Sequence, residues 1–212
     1  MSLTATYNNT AKLGNQGAQR FTMWLAIVSI MMTFGGFTSA FIVRKGAGGA
    51  WSAFTMPSIF NVSTLMILLS SATLIVAHIS NKKGNKIMTA VGLFTTLVLG
   101  VLFCIFQVTG WMQLTNQGIY LSYNPNPAGP FFYVITAFHA LHAVCGLVFM
   151  LVATVRAFLK IRQPNSTEII TEIENSEKGN YAIRTDLLSM YWHFMGLLWL
   201  YLFIFLSLNF NH

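Results

Sequence analysis

Five stretches of this chain, residues 21–43, 59–79, 87–109, 131–159 and 187–208, are almost free of charge and apolar throughout. Each reaches the ~20 residues that a helix needs to cross a hydrocarbon core of about 30 Å. Inside lipid the backbone must satisfy its own polar groups, which leaves helices or a closed barrel as spanning structures. Apolar runs of this length predict helices. The composition agrees: 55% of residues are hydrophobic and only 8% are charged, against about 25% charged in a soluble domain. The expected fold class is therefore an all-α membrane protein, a bundle of five transmembrane helices. The first span does not read as a cleaved signal sequence, because its apolar part is too long and follows a polar tail over residues 1–20.

Lysine and arginine set the orientation. Ten of the twelve fall in the amino-terminal tail, the second loop and the fourth connection, and two (Arg44 and Lys45) fall on the other side. Cationic segments stay in the cytoplasm, so the amino terminus is expected inside and the carboxyl terminus in the periplasm. The net charge of +7 then reads as a topology signal with an affinity for anionic headgroups, with no nucleic acid required. The expected organisation is a polar cytoplasmic tail (1–20), one transmembrane domain (21–210) and a cytoplasmic acidic connection (163–186). That connection holds all five carboxylates, from Glu168 to Asp186. Asn165 with Glu168 resembles a capping box, Ile169, Ile170 and Ile173 share a face, and Lys178–Gly179 reads as a stop. A short amphipathic surface helix is expected there. Residues 110–130, with Pro125, Pro127 and Pro130, predict turns on the outer surface. Trp111, Tyr120, Tyr123 and the cluster from Phe131 to Tyr133 are expected at headgroup level there, as are Trp51 on the first outer loop and Trp24 on the inner side.

Ionisable groups at membrane depth are costly, which makes the histidines in the apolar runs the natural place to look for function. His139 and His142 are spaced to project from one side of the fourth helix, with Cys145 and Gly146 a turn later. Ser189, His193 and Gly196 form a similar stripe on the fifth. Counting helical rise from opposite ends brings His142 and His193 to within roughly 5 Å of the same depth. Zinc is disfavoured, since the H-x-x-H run lacks the glutamate and spacing of known zinc motifs and has no third ligand in view. A haem held between His142 and His193 is a stronger reading. A structural role is favoured, with small residues letting helices approach and histidines bonding across, as Gly35, Gly36, Ser39 and Ala40 would allow on the first span. The acid-free spans argue against a proton relay or an ion path. His78 is expected at the interface beside the lysines of the second loop, and Cys104 and Cys145 as small buried apolar residues.

The run from Phe131 to Gly146, with Phe138-His139, His142 and Gly146 in register, resembles the F-H-x-L-H-x-x-x-G signature of subunit III of haem-copper respiratory oxidases. The run Tyr191-Trp192-His193-Phe194, followed by Trp199, resembles the closing motif of the same family. Gln107 and Trp111 fit its third-span pattern more loosely. The resemblance covers roughly residues 20 to 210, and five spans make it similar to the short bacterial form.

The resemblance implies a cofactor-free accessory subunit of a cytochrome c oxidase in a bacterial inner membrane, flanking a subunit I that holds haem and copper. It implies phospholipid in a cleft between helices, support for oxygen access and proton uptake in subunit I, and protection against inactivation during turnover. A respiratory supercomplex is a further partner it allows. His139, His142, Gly146, Tyr191, Trp192, His193 and Trp199 would be structural or interface residues, with no catalytic, cofactor or metal role. Two family carboxylates are missing: the stretch Ser29-Ile30-Met31 supplies no glutamate, and Gly196 stands where an aspartate is common. Roles given to those acids do not carry over. Subunit III of a quinol oxidase or the accessory protein of nitric oxide reductase fits the same signature, and a small b-type cytochrome is the alternative from another class.

Overall fold

The computed structural model describes the backbone of residues 3–48, 51, 54–121, 126–162 and 171–210, and side chains from residue 16 onward except in the 162–182 stretch. Within these residues the chain forms five helices: α1 (Leu3–Gly46), α2 (Ile59–Lys82), α3 (Lys86–Asn116), α4 (Ala128–Arg162) and α5 (Thr171–Phe210). Each contains a stretch long and apolar enough to cross a membrane. The exterior is as apolar as the core, with Met32, Val43 and Leu197 all largely exposed. Lipid removes the usual penalty on such residues, so packing between helices, more than hydrophobic sorting, must hold the bundle together.

The four helices α2 to α5 form a closed ring in which α2 packs on α3, α3 on α4, α4 on α5 and α5 back on α2. The tightest connection is the turn between α2 and α3. Gly84 takes φ 74° there, a left-handed conformation open to glycine, and the Asn85 side chain caps α3 by accepting from the Met88 amide at 3.1 Å. Farther along the same pair, a Cβ on Gly92 would lie 2.7 Å from the Ala77 Cβ and 3.1 Å from its Cα. Only glycine permits that backbone approach.

Helix α1 stands outside the ring. Among the described residues it packs on α4 and α5 and not on α2 or α3. One line of side chains, Ile27, Ile30, Phe34, Thr38 and Phe41, is buried, at the three-and-four spacing of a single helix face. Gly35, Gly36, Ser39 and Ala40 lie on the opposite, exposed side, where a Cβ on either glycine would meet nothing within 4 Å. The expected close contact between these small residues and another helix of the chain does not form, because the bulky aromatics on the other face make the contact instead.

Several boundaries differ from expectation. Helix α3 continues through Gly110 to Asn116, so the outer connection starts later than residue 110. The cause is burial: Leu114 lies in the core and Gly110 receives the Phe60 ring, so the face that packs persists for two more turns. Helix α5 runs unbroken from Thr171, and Lys178–Gly179 does not stop it. Asn165, Glu168, Ile169 and Ile170, and likewise Tyr123 and Pro125, lie outside the described residues. Helix α1 likewise begins at Leu3, so much of the polar tail shares one helix with the first span. Both cysteines are free, Cys104 half-buried and Cys145 exposed. The expectation of burial fails for Cys145, since α4 turns its Ala143–Gly146 side inward and leaves residue 145 facing out.

Candidate functional site

The interior of the ring is a seam of aromatic and hydroxyl side chains. A serine or threonine in a helix can donate to the carbonyl three or four residues back, which satisfies its proton without leaving the helix. Ser63 and Thr64 donate to the Phe60 carbonyl at 2.9 and 2.7 Å, and Ser70 donates to that of Ile67 at 2.8 Å. With its single proton spent, each oxygen can only accept from elsewhere. The Trp192 indole donates to Ser70 Oγ at 3.0 Å, the Trp199 indole to Thr64 Oγ1 at 2.9 Å, and Gln107 Nε2 to Ser63 Oγ at 3.1 Å. The same arrangement recurs twice. Thr136 donates to the Phe132 carbonyl and accepts from Trp111 Nε1 at 3.1 Å. Thr38 donates to that of Phe34 and accepts from the Tyr201 hydroxyl at 3.2 Å. Each of the five bonds donated by an indole, the Gln107 amide or the Tyr201 hydroxyl joins two helices.

Trp192 is the centre of this seam. It is 1% exposed and lies between two glycines. A Cβ on Gly100 of α3 would sit 2.9 Å from its ring, and one on Gly146 of α4 would sit 3.2 Å from it. One side chain of α5 thus touches all three other helices of the ring. Its neighbour Tyr191 donates to the His142 carbonyl at 2.9 Å, and a Cβ on Gly146 would also press on the Tyr191 ring at 2.9 Å. One turn and more away, Trp199 lies against Phe103 of α3 and against His139 of α4.

The histidines part company. His139 is 1% exposed, its ring set among Phe34, Phe103 and Trp199 with centroids 6.3, 6.0 and 5.2 Å away. His142, one turn along, is half-buried, meets Phe34 at 6.0 Å and places Nδ1 2.7 Å from the Phe138 carbonyl of its own helix. His193, on α5, is half-buried. Among the described residues no hydrogen bond or ring contact joins His142 to His193. The depth argument placed them level; Gly196, three residues on from His193, faces α2, its Cβ position 3.3 Å from Ser71 Oγ. No group of three or more metal-ligating side chains converges among the described residues. His78 lies near the carboxyl end of α2, its side chain 23% exposed and its Nδ1 3.6 Å from Asp186 Oδ1.

The model of the family described as cytochrome c oxidase subunit III matches residues 1–209. The chain belongs to the cytochrome c oxidase subunit III family. Among curated relatives, cytochrome c oxidase subunit 3 of Neotragus moschatus is 27% identical over 202 residues, covering 89% of this chain and 69% of its own length. That of Equus caballus is 28% identical over 205 residues with the same coverage. A bacterial relative from Rickettsia prowazekii, named "Probable cytochrome c oxidase subunit 3", is 31% identical over 147 residues, 68% of this chain and 45% of its own length. In this subunit III chain the two signature runs meet each other: Tyr191 and Trp192 of one pack on His142 and Gly146 of the other, and Trp199 packs on His139.

Sequence reasoning missed the receiving side of the seam. Ser63, Thr64 and Ser70 on α2 and Gly100 on α3 were passed over. A faint signal existed: the accepting hydroxyls Thr64 and Ser70 are six residues apart on α2 and the indoles of Trp192 and Trp199 seven apart on α5, a near match that lets two indoles meet two hydroxyls on antiparallel helices.

Proposed function

We propose that this chain is the accessory subunit III of a bacterial, proton-pumping terminal oxidase that reduces oxygen to water, with haem and copper carried by partner subunits. Family membership supports the assembly. The observation that carries the accessory role is how the signature side chains are used: Tyr191, Trp192 and Trp199 each donate their one proton to another helix, at 2.9, 3.0 and 2.9 Å. Such groups are committed to shape. They hold a rigid bundle whose apolar outer surface is left for lipid and for a large membrane partner, subunit I foremost. In this reading the amino terminus is cytoplasmic, phospholipid fills grooves between the helices, and the subunit sustains turnover in its partner without performing a step of it.

The test is to tag the chain in its native host, extract it in mild detergent and identify what accompanies it. The account expects a stoichiometric catalytic subunit that carries haem and copper, and the donor side of that complex distinguishes a cytochrome c oxidase from a quinol oxidase. A chain that purifies alone with its own haem would replace this reading with that of a small cytochrome.

A further inference from the structure

Among the described residues α1 and α2 do not pack on each other, yet one carboxylate links them at the end of the bundle where α2 turns into α3. Asp186 of α5 places Oδ2 3.5 Å from the Arg20 guanidinium of α1 and Oδ1 3.6 Å from His78 Nδ1 of α2. The His78 nitrogen is shielded from solvent and has no hydrogen-bond partner at its present distance. Beside it is a cavity of about 10 Å³ lined by Asn81, Thr89, Thr185 and Ser189 among others, room for about one water. Asn81 donates to Thr185 at 3.3 Å across the same junction.

We propose that His78 and Asp186 form a proton-binding clasp, in which a proton on the imidazole draws α2 and α5 together and, through Arg20, holds α1 to them. The chemistry is direct. A protonated imidazole sets an N–H and a positive charge opposite the carboxylate and converts a 3.6 Å approach into a charge-assisted hydrogen bond. A neutral imidazole either sets an Nδ1 lone pair against the carboxylate oxygen or, in its other tautomer, donates an uncharged N–H, and neither supplies the positive charge that tightens the pair. Arg20 occupies the other oxygen of Asp186 and does not compete for it. The other charged or titratable residues at this end of the packed elements, by chain position, are Lys82 and Lys83 at the end of its own helix, Lys86 at the start of α3, and Arg184 and His193 on α5. All are cationic or neutral, and among the residues whose side chains are described Asp186 is the only carboxylate that can answer the proton.

The experiment uses the full chain in lipid nanodiscs, with Cys104→Ala and Cys145→Ala and spin labels at Gln19→Cys and Lys83→Cys, both exposed positions. Distances between the labels are measured by pulsed electron resonance across the range in which an imidazole gains a proton while carboxylates stay ionised. The clasp predicts a shorter and narrower distribution on the acid side. His78→Gln and Asp186→Asn should each abolish that shift, and either variant suffices if the other fails to fold. An unchanged distribution in the parent protein, or a shift that survives in either variant, overturns the proposal.

Discussion

The Tyr191 hydroxyl donates to the backbone carbonyl of His142 at 2.9 Å, and it reaches that carbonyl because residue 146, one turn on, is glycine. The bond and the notch have different weights. Interhelical hydrogen bonds in membranes contribute about 0.6–1.7 kcal/mol, whereas forcing a methyl group into a packed contact costs about 1–3 kcal/mol. Gly146→Ala should therefore destabilise the full chain more than Tyr191→Phe, as read by its unfolding in denaturing detergent. A milder effect of the alanine would mean that the Tyr191–Trp192 contact is looser than described.

Trp192 and Ser70 form the second coupled pair. Trp192→Phe removes the indole donor and Ser70→Ala removes its acceptor, so the double variant should cost less than the two single costs added. A coupling of about 0.5–2 kcal/mol is expected for residues in direct contact. Strict additivity in a double-mutant cycle would show that the 3.0 Å bond contributes nothing in the membrane.

The cation count sets a topology. A periplasmic reporter fused after residue 212 should be active, and the same reporter inserted near Lys83 should be silent. Activity at both sites would contradict an odd number of crossings.

The buried histidines set a spectroscopic expectation. His139 points among three aromatic rings, His142 bonds its own helix, and no hydrogen bond or ring contact among the described residues joins His142 to His193. No two of them present ring nitrogens to one haem iron. The purified single chain should give no reduced-minus-oxidised b-type difference spectrum. A stoichiometric spectrum would demand that α4 and α5 repack.

Much of this arrangement is legible in residue order, and the gaps have physical causes. Span number and approximate limits follow from hydropathy, because lipid imposes one length on every crossing. The carboxyl end of α3 and the start of α5 escaped, since helices continue past the apolar stretch wherever packing, as at Leu114, or simple helix propensity carries them. The Trp192 notch was half legible: Gly146 stood in a recognised run, while Gly100 and Ser70 are ordinary residues whose meaning comes from the partner they face. The small-residue stripe of Gly35, Gly36, Ser39 and Ala40 misled for a related reason. Small residues permit a close approach but do not say which helix makes it.

The most direct test of the accessory role compares intact oxidase complexes carrying His139→Ala or His193→Ala with the parent complex. Three quantities matter: the initial rate of oxygen consumption, the rate after many turnovers, and the amount of this chain retained in detergent. If these side chains maintain a bundle beside a separate catalytic subunit, the initial rate stays near that of the parent. Retention and sustained activity fall, more for His139, which touches α1, α3 and α5. An initial rate abolished from the first turnover, in a complex that is intact and fully loaded with haem, would place these residues in the chemistry and contradict the account.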